Sequence, residues 1–117
     1  MSHHYKMYVE IEGWNRDRED AIVEAAGQEW PRILENRTIE DNVMYGASEA
    51  NLGGGESEKE FALRLARAIW NANEAYCKVV VECFYLEDLP YQRYTFDKKD
   101  CVLDHPWVSP RGDEKDG

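Results

Sequence analysis

GGGESEKEFALRLARAIWNANEAYCKVVVECFY, residues 53–85, sets a glycine run, an amphipathic helix and an apolar strand end to end. Ser57 and Glu60 have capping-box spacing: the serine hydroxyl takes a free amide of the first turn, and the glutamate side chain returns to the serine amide. Glu56, Glu58 and Glu60 place negative charge at the positive end of the helix dipole. Phe61, Leu65, Ala68, Ile69, Ala72 and Tyr76 recur at helical intervals and predict one apolar face, with Arg64, Arg67, Asn71 and Glu74 opposite. Asn71 and Asn73 weaken the last turns. Cys77 to Leu86, rich in β-branched and aromatic residues, then reads as a strand.

That strand is apolar on both sides, with Val79, Val81 and Tyr85 on one and Val80, Phe84 and Leu86 on the other. A strand covered by helices on one side only should be polar on its second. Tyr8, outward on the first strand, extends the second surface. Three covers are open to it: the carboxy-terminal segment with Val102, Leu103, Pro106 and Trp107, a second copy of the chain, or a different protein.

Downstream, Glu87-Asp88-Leu89-Pro90 reads as a tight reversal, and Tyr91 to Phe96 as the returning strand of a hairpin. Upstream, Tyr5 to Glu12 alternates: Met7, Val9 and Ile11 share one face, and Lys6, Tyr8, Glu10 and Glu12 the other. Gly13 ends this strand, and Asn15 or Asp17 caps a helix with an alanine-rich stripe, Ala21, Ile22, Ala25 and Ala26, closed by Gly27 and Trp30-Pro31. Ile33 to Arg37 is ambiguous between helical tail, loop and edge strand. Val43 to Ala47 reads as a strand, and Ser48 to Gly55 as a flexible connection. The expected order is β-α-β-α-β-β: an α+β two-layer sandwich, two helices on one face of a four-stranded, mostly antiparallel sheet, ferredoxin-like or a close variant. A ferredoxin-like order proper needs a second strand between Ile33 and Ala47. Residues 1–108 are expected to form a single domain and 109–117 a disordered acidic tail.

The formal charge of −10 disfavours direct nucleic-acid binding and favours a positively charged partner. No apolar run is long enough to span a bilayer and no signal region is visible, so neither membrane nor export is expected. Three cysteines in a chain of otherwise ordinary composition argue for a reducing compartment, with the cytoplasm as the default.

Gly53-Gly54-Gly55 before a helix resembles a phosphate cradle only superficially, because no lysine follows at Walker spacing and glutamates stand where the phosphate would sit. Cys101 and His105 with Asp100 and Asp104 are zinc-competent donors, but no paired cysteine motif exists. Cys77 and Cys83 would lie about 20 Å apart on a strand, too far to share a metal. They read as small buried apolar residues. No metal, cofactor or nucleophile elbow is indicated, and His105 is the one imidazole outside the amino terminus.

Three functions follow as expectations. The leading one is a non-enzymatic protein-interaction module, homodimeric or with a foreign partner, docking through Tyr8, Val80, Phe84, Leu86 and Trp107. The second is a nucleic-acid mimic whose carboxylates form a continuous band on a DNA- or RNA-binding protein. The third is a small enzyme or ligand-binding domain with a pocket between the helices and Val43 to Leu52, using Tyr45, Glu49 and His105.

Overall fold

The computed structural model describes residues 3–52, 56–85, 92–96 and 98–101. In chain order the elements are β1 (His3–Glu12), a 3-10 turn (Arg16–Arg18), α1 (Glu19–Glu29), β2 (Thr38–Glu40), β3 (Val43–Leu52), α2 (Glu58–Asn73), β4 (Lys78–Tyr85), β5 (Gln92–Phe96) and a second 3-10 turn (Lys98–Asp100). The fold is α+β, with a five-stranded antiparallel sheet in the order β2-β3-β1-β4-β5.

The expected four-stranded sheet and β-α-β-α-β-β order are therefore corrected to five strands in the order β-α-β-β-α-β-β. The strand not anticipated is β2, whose Thr38, Ile39 and Glu40 pair with Tyr45, Met44 and Val43. It is only three residues long and exposed throughout, so it has no burial alternation to betray it. Asp41 and Asn42 form the reversal between β2 and β3, with Asp41 at φ 57°. The flexible connection expected from Ser48 is also corrected: β3 continues to Leu52, and its second half pairs with His3 to Met7 of β1. Pairing with the central strand holds a segment whose own composition, SEAN, carries no strand preference.

α2 begins as its sequence predicts. Ser57 Oγ accepts from the Glu60 amide at 3.1 Å, and Glu60 Oε1 accepts from the Ser57 amide at 2.9 Å. Glu74 ends the helix in the left-handed conformation, φ 63°. The buried face includes Phe61, Leu65 and Ile69 and is wider than the periodicity indicates, because Ala62, Ala66, Trp70 and Asn73 are buried too. Asn15 caps the first 3-10 turn, taking the Asp17 amide at 3.2 Å, while α1 itself starts later, at Glu19, without a side-chain cap. Gly27 lies inside α1, and Trp30 ends it.

The helices lie on one side of the sheet. Ile22 and Ala26 of α1 and the buried face of α2 share a core with Met7, Val9, Ile11, Val79, Val81 and Cys83. The ambiguous Ile33–Arg37 region is a turn that seals the end of this core with buried Ile33 and Leu34. It is tied to β3 by Trp30 Nε1 donating to the Ser48 carbonyl at 3.0 Å and by Ser48 Oγ donating to the Pro31 carbonyl at 2.7 Å. Gly46 permits that approach, since a Cβ there would lie 2.2 Å from the Ile33 carbonyl oxygen.

Candidate functional site

Strand alternation and pairing register assemble the sheet face away from the helices. Tyr8 of β1 lies between Ala47 of β3 and Glu82 of β4, Lys6 between Glu49 and Phe84, and Glu10 between Tyr45 and Val80. On β5, Arg93 stands beside Glu82 and Thr95 beside Val80. Among the described residues no helix packs on this face.

Five of these side chains, Lys6, Tyr8, Ala47, Glu82 and Phe84, line a concavity of about 550 Å³. It exists because Ala47, with only a methyl group, stands opposite Tyr8 and between the longer Tyr45 and Glu49. The Tyr8 and Tyr45 rings are 6.3 Å apart and tilted by 31°, within the range of a favourable aromatic pair. Glu82 accepts from Arg93 Nη1 at 2.9 Å, and its side chain is only 13% exposed. The Tyr8 hydroxyl keeps its proton above the usual phenol range, because burial and then the neighbouring Glu10 carboxylate disfavour the phenolate.

The structure brings together Tyr8, Val80 and Phe84 on this face, and Val80 is 2% exposed there although it does not belong to the helix-side core. Leu86, Trp107 and His105 lie outside the described residues, as do Gly53 to Gly55, the Glu87–Pro90 reversal, the 102–108 segment and the 109–117 tail. Tyr45 and Glu49 are on β3 but face away from the helices, so they do not line a pocket between the helices and that strand. Glu49 instead holds the His4 ring at 3.1 Å. Lys6, Ala47 and Glu82 are the lining residues that sequence reasoning did not single out. Alternation alone places Lys6 on the Tyr8 face, but Ala47 and Glu82 join them only once the register is known.

The acids of this face, Glu10, Glu12, Glu40, Glu49 and Glu82, are interleaved with Lys6, Lys78 and Arg93. Cys77 and Cys83 are buried, and all three cysteines are unpaired. Among the described residues no group of three or more His, Cys, Asp or Glu side chains is placed to hold a metal, and no helix is long and apolar enough to cross a membrane.

Comparison of the chain with family models, with curated proteins and with solved structures finds no match.

Proposed function

We propose that this chain is a non-enzymatic protein-interaction module that docks a partner on the sheet face away from the helices. The observation that carries the reading is the concavity between Tyr8, Ala47 and Phe84. A preformed hollow walled by aromatic rings accepts a protruding side chain of a partner, the arrangement in which buried anchors supply most of the binding energy. The chain's charge of −10 makes a basic partner surface the favoured one, with attraction that weakens as salt rises. The unpaired cysteines are in keeping with a reducing compartment such as the cytoplasm.

The test is site-resolved photo-crosslinking in the source cell, with benzophenone at position 49, exposed on the same face beside Ala47, and, as a control, at the exposed Arg67 of α2. One discrete adduct is expected from position 49, lost when Tyr8→Ala and Phe84→Ala are combined in a chain that keeps its circular dichroism. Equal adducts from both positions, or an adduct indifferent to the double substitution, would reject the reading.

A further inference from the structure

The outer edge of β3 is paired over only part of its length. The Asp41–Asn42 turn closes on Glu40 and Val43, and the Asn42 carbonyl accepts from the Gly13 amide at 3.1 Å on the β1 side. Alternation along an extended chain therefore turns the backbone groups of Met44, Gly46, Ser48, Ala50 and Leu52 toward β1, and those of Val43, Tyr45, Ala47, Glu49 and Asn51 away from it. Val43 and Tyr45 meet Glu40 and Thr38 of β2. Beyond them β2 has ended. Among the described residues no strand lies beside Ala47, Glu49 and Asn51, and their amides and carbonyls have no hydrogen-bond partner. The ties to the neighbouring turn use the Ser48 carbonyl and hydroxyl and leave these groups untouched.

This edge also lacks the usual protection, since native edges are closed to other chains by lysine, proline, a bulge or brevity. Residues 46–52, GASEANL, contain neither lysine nor proline, and the β1–β3 register runs unbroken from Leu52 to Val43. Ala47, Glu49 and Asn51 are exposed. The His4 ring draws the last two side chains inward over the sheet, its Nε2 at Glu49 Oε1 and its Nδ1 at Asn51 Oδ1, each at 3.1 Å, so they do not fold across the edge. A row of alternating donors and acceptors is matched by another extended backbone, whereas a helix spends its own groups internally. Two copies of this chain would each bring a charge of −10 to the contact, and the described chain ends at Cys101, past β5 at the opposite edge of the sheet. We propose that Ala47–Asn51 is a strand-addition site for an extended, basic segment of another protein, lying antiparallel to β3 and in line with β2. The inference rests on the reading of this chain as an interaction module and adds the route of entry. The two fail separately, because strand addition is read on the isolated chain, whereas the cellular adduct from position 49 depends on Tyr8 and Phe84.

The experiment follows backbone amide exchange in the full chain by NMR at neutral pH and low salt, with acetyl-Lys-Val-Lys-Val-Thr-Val-Lys-amide as the probe. In the chain alone the amides of Ala47, Glu49 and Asn51 should exchange freely and those of Ser48 and Ala50 slowly. The peptide should slow the first three saturably, and bind more tightly than its analogue with Glu for each Lys, by a margin that narrows as salt rises. Glu49→Pro and Asn51→Pro each delete one outward amide and no bond to β1. Each, in a chain that keeps its circular dichroism, should weaken the peptide about tenfold, the scale of one or two backbone hydrogen bonds, while Glu49→Ala and Asn51→Ala bind it as the native chain does. Protection of the three amides in the chain alone would overturn the proposal, assigning the edge to the chain's own residues if it persists on dilution and to a second copy if it does not. So would the absence of saturable slowing, equal binding of the acidic analogue, or proline variants that bind like the alanine ones.

Discussion

At Gly46 the backbone of β3 runs so close to the Ile33 carbonyl that a single methyl group would overlap it. The carbonyl belongs to a turn pinned by Trp30 and Ser48, so it has little room to retreat. Gly46→Ala is expected to lower stability by about 2 kcal/mol or more, read as a drop in the denaturant midpoint at constant slope. Asn73 is the one buried polar residue among those described; its Oδ1 accepts from the Asn15 amide at 2.6 Å and its Nδ2 donates to the Ala75 carbonyl at 2.9 Å. Asn73→Ala strands both backbone groups, at a cost of about 2 kcal/mol, and the same melt measures it. Burial pushes the Cys77 and Cys83 thiols from an ordinary 9.0 up to about 12, and burial, followed by the hydrogen bond that the Tyr5 hydroxyl donates to Glu58 at 2.5 Å, raises the Tyr5 phenol. The unfolded chain therefore releases these protons at lower pH than the folded one. Their contribution is complete below about pH 9 and is lost as pH rises toward 12. Calorimetry across that interval should show a falling melting temperature, and Cys77→Ala with Cys83→Ala should flatten the fall.

Among the elements, α2 and β1 were legible because their information is local. The Ser57–Glu60 box is written within four residues and is made as written; Ser57→Ala should cost about 1 kcal/mol, measured by thermal melting. β1 alternates over its length with Met7, Val9 and Ile11 fully buried. β2 and the second half of β3 were not legible, since Thr38–Glu40 is three residues long and exposed throughout, and Ser48–Asn51 has no strand propensity of its own. Thr38–Glu40 is a strand because the adjacent Asp41–Asn42 turn returns it to β3, and Ser48–Leu52 is one because β1 lies beside it. The Trp70 indole shows the same dependence: its Nε1 donates at 2.8 Å to the Cys77 carbonyl, a bond between a helix and the loop before the next strand. With Trp70 buried, the buried face of α2 is wider than periodicity indicates.

On the scale of the whole molecule, β4 joins the two faces. Val79, Val81 and Cys83 close the helix-side core, while Val80 and Phe84 belong to the face that carries the concavity. A molecule of charge −10 that used this face for self-association would bring like charges together, so the mass in solution should be that of one chain at low salt. A dimeric mass at low salt that Tyr8→Ala reduces to a monomeric one would assign the face to a second copy instead. Residue order alone determined the capped helix α2, the alternation of β1, the apolar helix side of β4 and the acidity of the chain, because each is fixed by neighbours a few positions apart. Tertiary structure decided the five-stranded order, the existence of β2 and the meeting of Lys6, Tyr8, Ala47, Glu82 and Phe84. Those depend on which strands pair and in what register, and backbone hydrogen bonding between distant segments carries no side-chain signature from which that register could be read.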